Sequence, residues 1–93
     1  SSSLLHFMVG QLYAKSGNHM AAREQYALSF TRDNSQLQPL IAKAYLELNT
    51  GQLDAAESTI HLLRKSERDT IVYYDHLISE LEQHLTHAKT RSQ

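Results

Sequence analysis

The run Gly17-Asn18-His19-Met20-Ala21-Ala22, followed by Tyr26, is echoed 34 positions later by Gly51-Gln52-Leu53-Asp54-Ala55-Ala56, followed by Ile60 (17 to 51, 22 to 56, 26 to 60). A period of this length fits a helix, a tight turn and a second helix. Such a unit cannot bury its apolar face alone, so neighbouring units must pack on one another. The expectation is an all-α chain built from two helical hairpins laid side by side.

The residue types at the repeated places have physical reasons. Gly17 and Gly51 follow the last periodic residues of a helix, where glycine takes the left-handed conformation that ends it at little steric cost. Gly10, Ala42, Ala22 and Ala56 are small where helices cross, and Tyr13, Tyr26, Tyr45 and Ile60 are expected to fill the gaps between the axes. A first helix is predicted from about Leu4 to Lys15, with Leu5, Val9, Leu12 and Tyr13 as its packed stripe and Phe7 and Met8 off it. The second runs from about His19 to Thr31 and buries Ala22, Tyr26 and Phe30. Asp33-Asn34-Ser35 supplies turn and N-cap chemistry for a third helix, with Pro39 near its first turn and Leu37, Ile41, Ala44, Tyr45 and Leu48 on one face. The fourth covers about Leu53 to Lys65, and Arg64 and Lys65 suit the negative end of its dipole.

Ser66-Glu67-Arg68-Asp69 has the form of a capping box, and Ile71, Tyr74, Ile78, Leu81, Leu85 and Ala88 then recur at spacings of three and four. This predicts a long amphipathic fifth helix, over about 69–90, that covers the open flank of the second hairpin, as helical arrays require for solubility. The same stripe permits a coiled-coil seam and hence a homodimer, but it spans under three heptads without a complementary charge code, so intrachain capping is the preferred reading.

These features together resemble the tetratricopeptide repeat family. Its pattern of small residue, aromatic, glycine, alanine and aromatic is met by Gly10, Tyr13, Gly17, Ala22 and Tyr26. His6 stands where the family has Trp, and Asn34 where it has the closing Pro. In the second unit Ala42, Tyr45, Gly51, Ala56 and Ile60 stand in those places. Helix residues then correspond at an offset of 32 (Val9 with Ile41, Tyr13 with Tyr45) and turn residues at 34, which reads as a two-residue insertion at Asn49-Thr50. The resemblance implies an α-α superhelix of two repeats, about 4–34 and 35–68, closed by the fifth helix. The start at Ser1-Ser2-Ser3 without Met gives the expectation of a chain cut from a longer protein. It also implies a partner surface on the concave face lined by the first helix of each unit. The family positions pointing there fall on Leu4, Phe7, Gln11, Ala14 and Lys15, and on Gln36, Pro39, Lys43, Leu46 and Glu47. Phe7 and Gln11 stand where carboxylate-clamping members carry Lys and Asn, which argues against that clamp. Leu4, Phe7 and Met8 instead suggest an apolar patch with Lys15 and Lys43 as rim charges, or a face that packs on a preceding helix.

Composition narrows the function classes. The 93 residues make one domain with 41% hydrophobic and 20% charged residues, and no apolar run approaches the length of a membrane span. A net charge of −1 offers no basic footprint for nucleic acid. No cysteine is present, which removes disulfides and thiol chemistry and leaves the compartment open. Six histidines (His6, His19, His61, His76, His84, His87) include the pair His84 and His87 on one helix face, yet no zinc-binding motif surrounds them. No nucleophile elbow, phosphate loop or paired-carboxylate pattern appears, so no active site or cofactor is expected. The leading expectation is a noncatalytic adaptor that binds a peptide or partner helix through Leu4, Phe7, Gln11, Lys15, Lys43, Leu46 and Glu47. The alternative is an accessory or oligomerisation segment of a larger enzyme or regulator.

Overall fold

The computed structural model describes residues 2–67 and 74–92 and is helical throughout, with no strand among them. Five helices follow in order: α1 (Ser2–Lys15), α2 (His19–Arg32), α3 (Gln38–Asn49), α4 (Leu53–Glu67) and α5 (Asp75–Ser92). Helix α1 packs on α2, α3 on α4, and α2 on α3, while α5 lies against α4 and α3. The result is a slab of 42 × 33 × 16 Å. None of these helices is long and apolar enough to cross a membrane.

The turns of the two hairpins are the same turn. Gly17 and Gly51 sit at φ 84° and 74°, and both helix ends close with paired carbonyl acceptors. The Gly17 N–H donates to Ala14 O at 3.1 Å and the Asn18 N–H to Tyr13 O at 2.9 Å. Thirty-four positions on, the Gly51 N–H donates to Leu48 O at 3.3 Å and the Gln52 N–H to Glu47 O at 2.8 Å. Burial keeps the same offset into the helices: Gly10 and Ala44, Ala22 and Ala56, Tyr26 and Ile60, and Ser29 and Leu63 are all buried. The hairpins are therefore in register without an insertion. Ala44, fully buried, takes the place expected for Ala42, and Tyr13 corresponds to Glu47 rather than to Tyr45.

The packed face of α1 also differs from expectation. Leu5 and Leu12 are 61% and 67% exposed, Tyr13 lies at the surface, and the buried residues of the helix are Ser3 and Gly10. Most outward positions between Leu4 and Tyr13 (Leu4, Leu5, Met8, Leu12) are as apolar as the inward ones, so hydrophobic periodicity carries no direction here. Closeness of approach decides instead. A Cβ on Gly10 would stand 2.8 Å from Cδ1 and Cε1 of Tyr26, so only glycine admits the ring at this crossing. Tyr45 is partly buried against the core, as is Phe30.

That core is contiguous through Leu37, α3, α4 and α5, with Leu40, Ala44, Ala56, Ile60, Leu63, Ile78 and Leu81 at or near zero exposure. Burial of each large aliphatic side chain contributes about 2 kcal/mol relative to exposure. The Ile78, Leu81 and Leu85 stripe of α5 is thus spent within the chain. Arg64 of α4 fastens α5 from outside, donating to Glu82 at 2.9 and 3.2 Å, Asp75 at 2.6 Å and Ser79 at 2.9 Å. The hydrogen bonds to Glu82 and Asp75 hold its guanidinium above its usual value.

Two capping expectations are corrected. Ser66 and Glu67 belong to α4, so they cannot cap the fifth helix, which is described from Asp75; Arg68, Asp69 and Ile71 lie outside the described residues. Asp33-Asn34-Ser35 forms a turn, but α3 is preceded by Leu37 at the N-cap, with no side-chain cap and Pro39 in the first turn.

Candidate partner-binding cleft

A cleft of about 160 Å³ opens where the start of α1 meets the 33–37 loop and the start of α3. Its floor is made by two serines. Ser3 Oγ donates to Ser29 O at 2.9 Å and Ser29 Oγ donates to Ser3 O at 2.7 Å, which pins the first turn of α1 to the end of α2 with the smallest polar side chains available. Larger residues at either place would fill the space. Leu4 and Phe7 form one apolar wall and Pro39 the other, with Gln36 and Gln38 at the mouth. Phe7 is positioned by Tyr26, whose ring centroid is 5.8 Å away at a 43° tilt. Tyr26 is in turn fixed by donating its hydroxyl to Gln11 Oε1 at 2.6 Å, and burial pushes the phenol above its ordinary value, so it remains a donor.

Asp33 is the one charged residue lining this cleft. Its Oδ1 accepts from the Ser35 hydroxyl at 2.6 Å and from the Ser35 amide at 3.1 Å, a local turn that fixes the carboxylate in the loop. These two hydrogen bonds hold the carboxyl below the usual carboxylate range, the hydroxyl contributing most. The cleft therefore combines apolar walls and a polar serine floor with a single anionic edge.

Of the seven residues expected to touch a partner, Leu4 and Phe7 line the cleft. Gln11 is exposed on α1 but occupied by Tyr26, and Lys15 is exposed in the last turn of α1, away from the cleft. Leu46 is partly buried. Glu47 is corrected as a surface residue, and Lys43, partly exposed, is drawn to it. The Glu47 side chain is 0% exposed, and its carboxylate accepts from Arg23 Nε at 2.9 Å, Lys43 Nζ at 2.8 Å and the Thr59 hydroxyl at 2.6 Å. Arg23 also donates to Gln52 Oε1 at 2.7 Å, and Lys43 to Thr59 Oγ1 at 2.9 Å. This cluster joins α2, α3 and α4 from within. A trace of it was present in the sequence: Glu47 falls at i+3 from Ala44 and i+7 from Leu40, on the stripe that faces inward.

Ser3, Ser29 and Asp33 were not expected at a site, and no motif marks them; Ser3 meets Ser29 because α1 packs on α2, and Asp33 follows as the C-cap of α2. Among the described residues no group of three or more His, Asp or Glu side chains converges as metal ligands. His84 is partly buried and His87 exposed on α5, and His6 Nδ1 lies 2.8 Å from Gln25 Oε1. Comparison of the chain with family models, with curated proteins and with solved structures gives no match.

Proposed function

We propose that this chain is a noncatalytic protein-binding module of the tetratricopeptide type, taking one apolar side chain of an extended peptide or helix into the cleft between α1 and α3. The observation that carries the reading is the cleft itself: apolar walls of Leu4, Phe7 and Pro39 over a serine floor, with the carboxylate of Asp33 at its edge. A slot of about 160 Å³ accommodates one aliphatic or aromatic side chain and is too small for a drug-sized cofactor, which needs about 300 Å³ or more. The constant 34-residue register of the two hairpins supports the family reading, because it gives both units the same turn and the same crossing residues.

Selection of a random peptide library against the 93-residue chain tests this. Bound peptides should share an apolar anchor with a Lys or Arg close by, and Phe7→Ala should weaken them about tenfold or more while helicity is kept. Asp33→Asn should lower the preference for the basic neighbour. Peptides that bind Phe7→Ala and Asp33→Asn as well as the parent would place the partner surface elsewhere.

A further inference from the structure

The cluster around Glu47 leaves a charge over. Arg23 and Lys43 divide one carboxylate between them, and no second carboxylate pairs with either cation among the described residues, so the group carries a net positive charge. Arg23 turns a further donor to Gln52 Oε1 at 2.7 Å. Lys43 gives one N–H to Glu47 Oε2 at 2.8 Å and another to Thr59 Oγ1 at 2.9 Å, and its third ammonium hydrogen has no acceptor among the described residues. The Lys43 side chain keeps 18% exposure and lines a groove of about 240 Å³.

This groove is separate from the cleft at the start of α1. Leu40 and Lys43 of α3 make its floor, Phe30 and Thr31 of α2 one bank, and Ser58 and Leu62 of α4 the other. Leu40 is buried, Phe30 half-buried and Leu62 38% exposed, so apolar surface runs from the floor to the rim. Lys43 is the one charged residue among the described residues that line it.

We propose that the groove binds an amphipathic helix of a partner protein, which sets an Asp or Glu side chain against Lys43 and an aliphatic side chain, one turn away, on Phe30 and Leu62. The proposal does not rest on the cleft reading, which calls for the opposite charge. Charge complementarity selects the occupant. A carboxylate accepts the spare ammonium hydrogen and answers the surplus cation where little water remains, and such a charge-assisted bond is about twice as strong as a neutral one. Nucleic acid and anionic lipid are disfavoured, because both are held by rows of cations and the groove has one. Its volume falls below the roughly 300 Å³ of small-molecule sites, which points to side chains of a polypeptide. The banks supply the shape: α2 and α4 flank α3, and a trough framed by helices is the ordinary seat of an amphipathic helix.

Acetylated and amidated alanine-based helices of about 18 residues test this when titrated into the whole chain labelled for NMR. One carries Leu with Glu four positions on, two replace the Glu by Gln or Lys, and one replaces the Leu by Ala. The helix with Leu and Glu should bind with a dissociation constant between about 100 μM and 1 mM and shift the amides of Phe30, Thr31, Ser58 and Leu62. Gln for Glu should weaken it about fivefold or more, Lys for Glu further, and Ala for Leu about fivefold. Phe7→Ala in the protein should leave these values unchanged, which separates this groove from the cleft. Lys43→Gln keeps a donor for Glu47 and should bring the Glu and Gln helices within about twofold of each other, with circular dichroism confirming its fold. Leu62→Asp, at a partly exposed position, should turn the preference toward the Lys helix and reads the same groove should Lys43→Gln lose helicity. Equal binding of the Glu and Gln helices by the parent chain overturns the proposal. So does the absence of binding up to about 5 mM, or a set of amide shifts centred outside the groove.

Discussion

Replacing Glu47 by alanine isolates the one buried ionic cluster of the described residues. The substitution removes the carboxylate that both Arg23 and Lys43 face, and it takes away the acceptor of the Thr59 hydroxyl, which donates to Glu47 Oε1 at 2.6 Å. Removal of one partner from a fully buried ion pair costs about 3–5 kcal/mol. Here the Arg23 and Lys43 side chains keep 29% and 18% exposure, so both cations can turn part-way to water and the loss falls to about 2–3 kcal/mol. For a chain of this size that lowers the melting temperature by about 10–20 °C. Glu47→Gln keeps the volume and an acceptor for Thr59 but discards the charge, and should cost about 1–2 kcal/mol. Thermal and urea unfolding followed by circular dichroism measure both. Lys43→Met combined with Glu47→Gln closes a double-mutant cycle, whose coupling should exceed about 0.5 kcal/mol. Unfolding of Glu47→Ala within about 0.5 kcal/mol of the parent would refute the argument, since the anion would then be contributing nothing beyond its own desolvation.

Gly10→Ala gains about 1 kcal/mol of helix propensity but drives a methyl group to 2.8 Å from a Tyr26 ring anchored at its hydroxyl, so the net effect in urea unfolding should be destabilising by about 1–2 kcal/mol; a stabilised variant would mean the ring swings away freely. The Asp33 carboxyl is held low by Ser35, so the stabilisation of the loop is complete above the unfolded-state pKa and is lost as pH falls through the lower folded value. In an NMR titration the Ser35 amide should therefore move with a midpoint below that of an ordinary aspartate, and Ser35→Ala should raise the Asp33 midpoint; an Asp33 midpoint indifferent to that substitution contradicts the assignment.

What could be read before folding depended on how much of each signal was local. Gly17, Gly51, Ala22 and Ala56 declare themselves by spacing alone, because a left-handed helix end and a crossing point are demanded by neighbours close in the chain. The body of α3 was placed two residues out of register by the likeness of Tyr13 and Tyr45; the backbone hydrogen bonds that tie Tyr13 to Asn18 and Glu47 to Gln52 are what restore it. The direction of α1 was illegible because large apolar residues stand on both its sides, and Ser3 and Gly10 mark its buried edge only through contacts with Ser29 and Tyr26. Glu47 looked like a surface charge since its three donors come from α2, α3 and α4. The cleft was half visible: Leu4, Phe7 and Pro39 are apolar residues at helix starts, but the serine floor exists only once α1 packs on α2, with Asp33 at the end of α2 beside it.

The contiguous apolar core begins at Leu37 and includes nothing from α1. The first hairpin is thus moored to the remainder mainly through the contact of α2 with α3, and the cleft straddles that joint, with Ser3, Leu4 and Phe7 on one bank and Pro39 on the other. A guest seated there would act as a rivet across that joint. Its arrival should slow amide exchange throughout α1 and α2, far beyond the residues it touches, and leave α4 and α5 as they were.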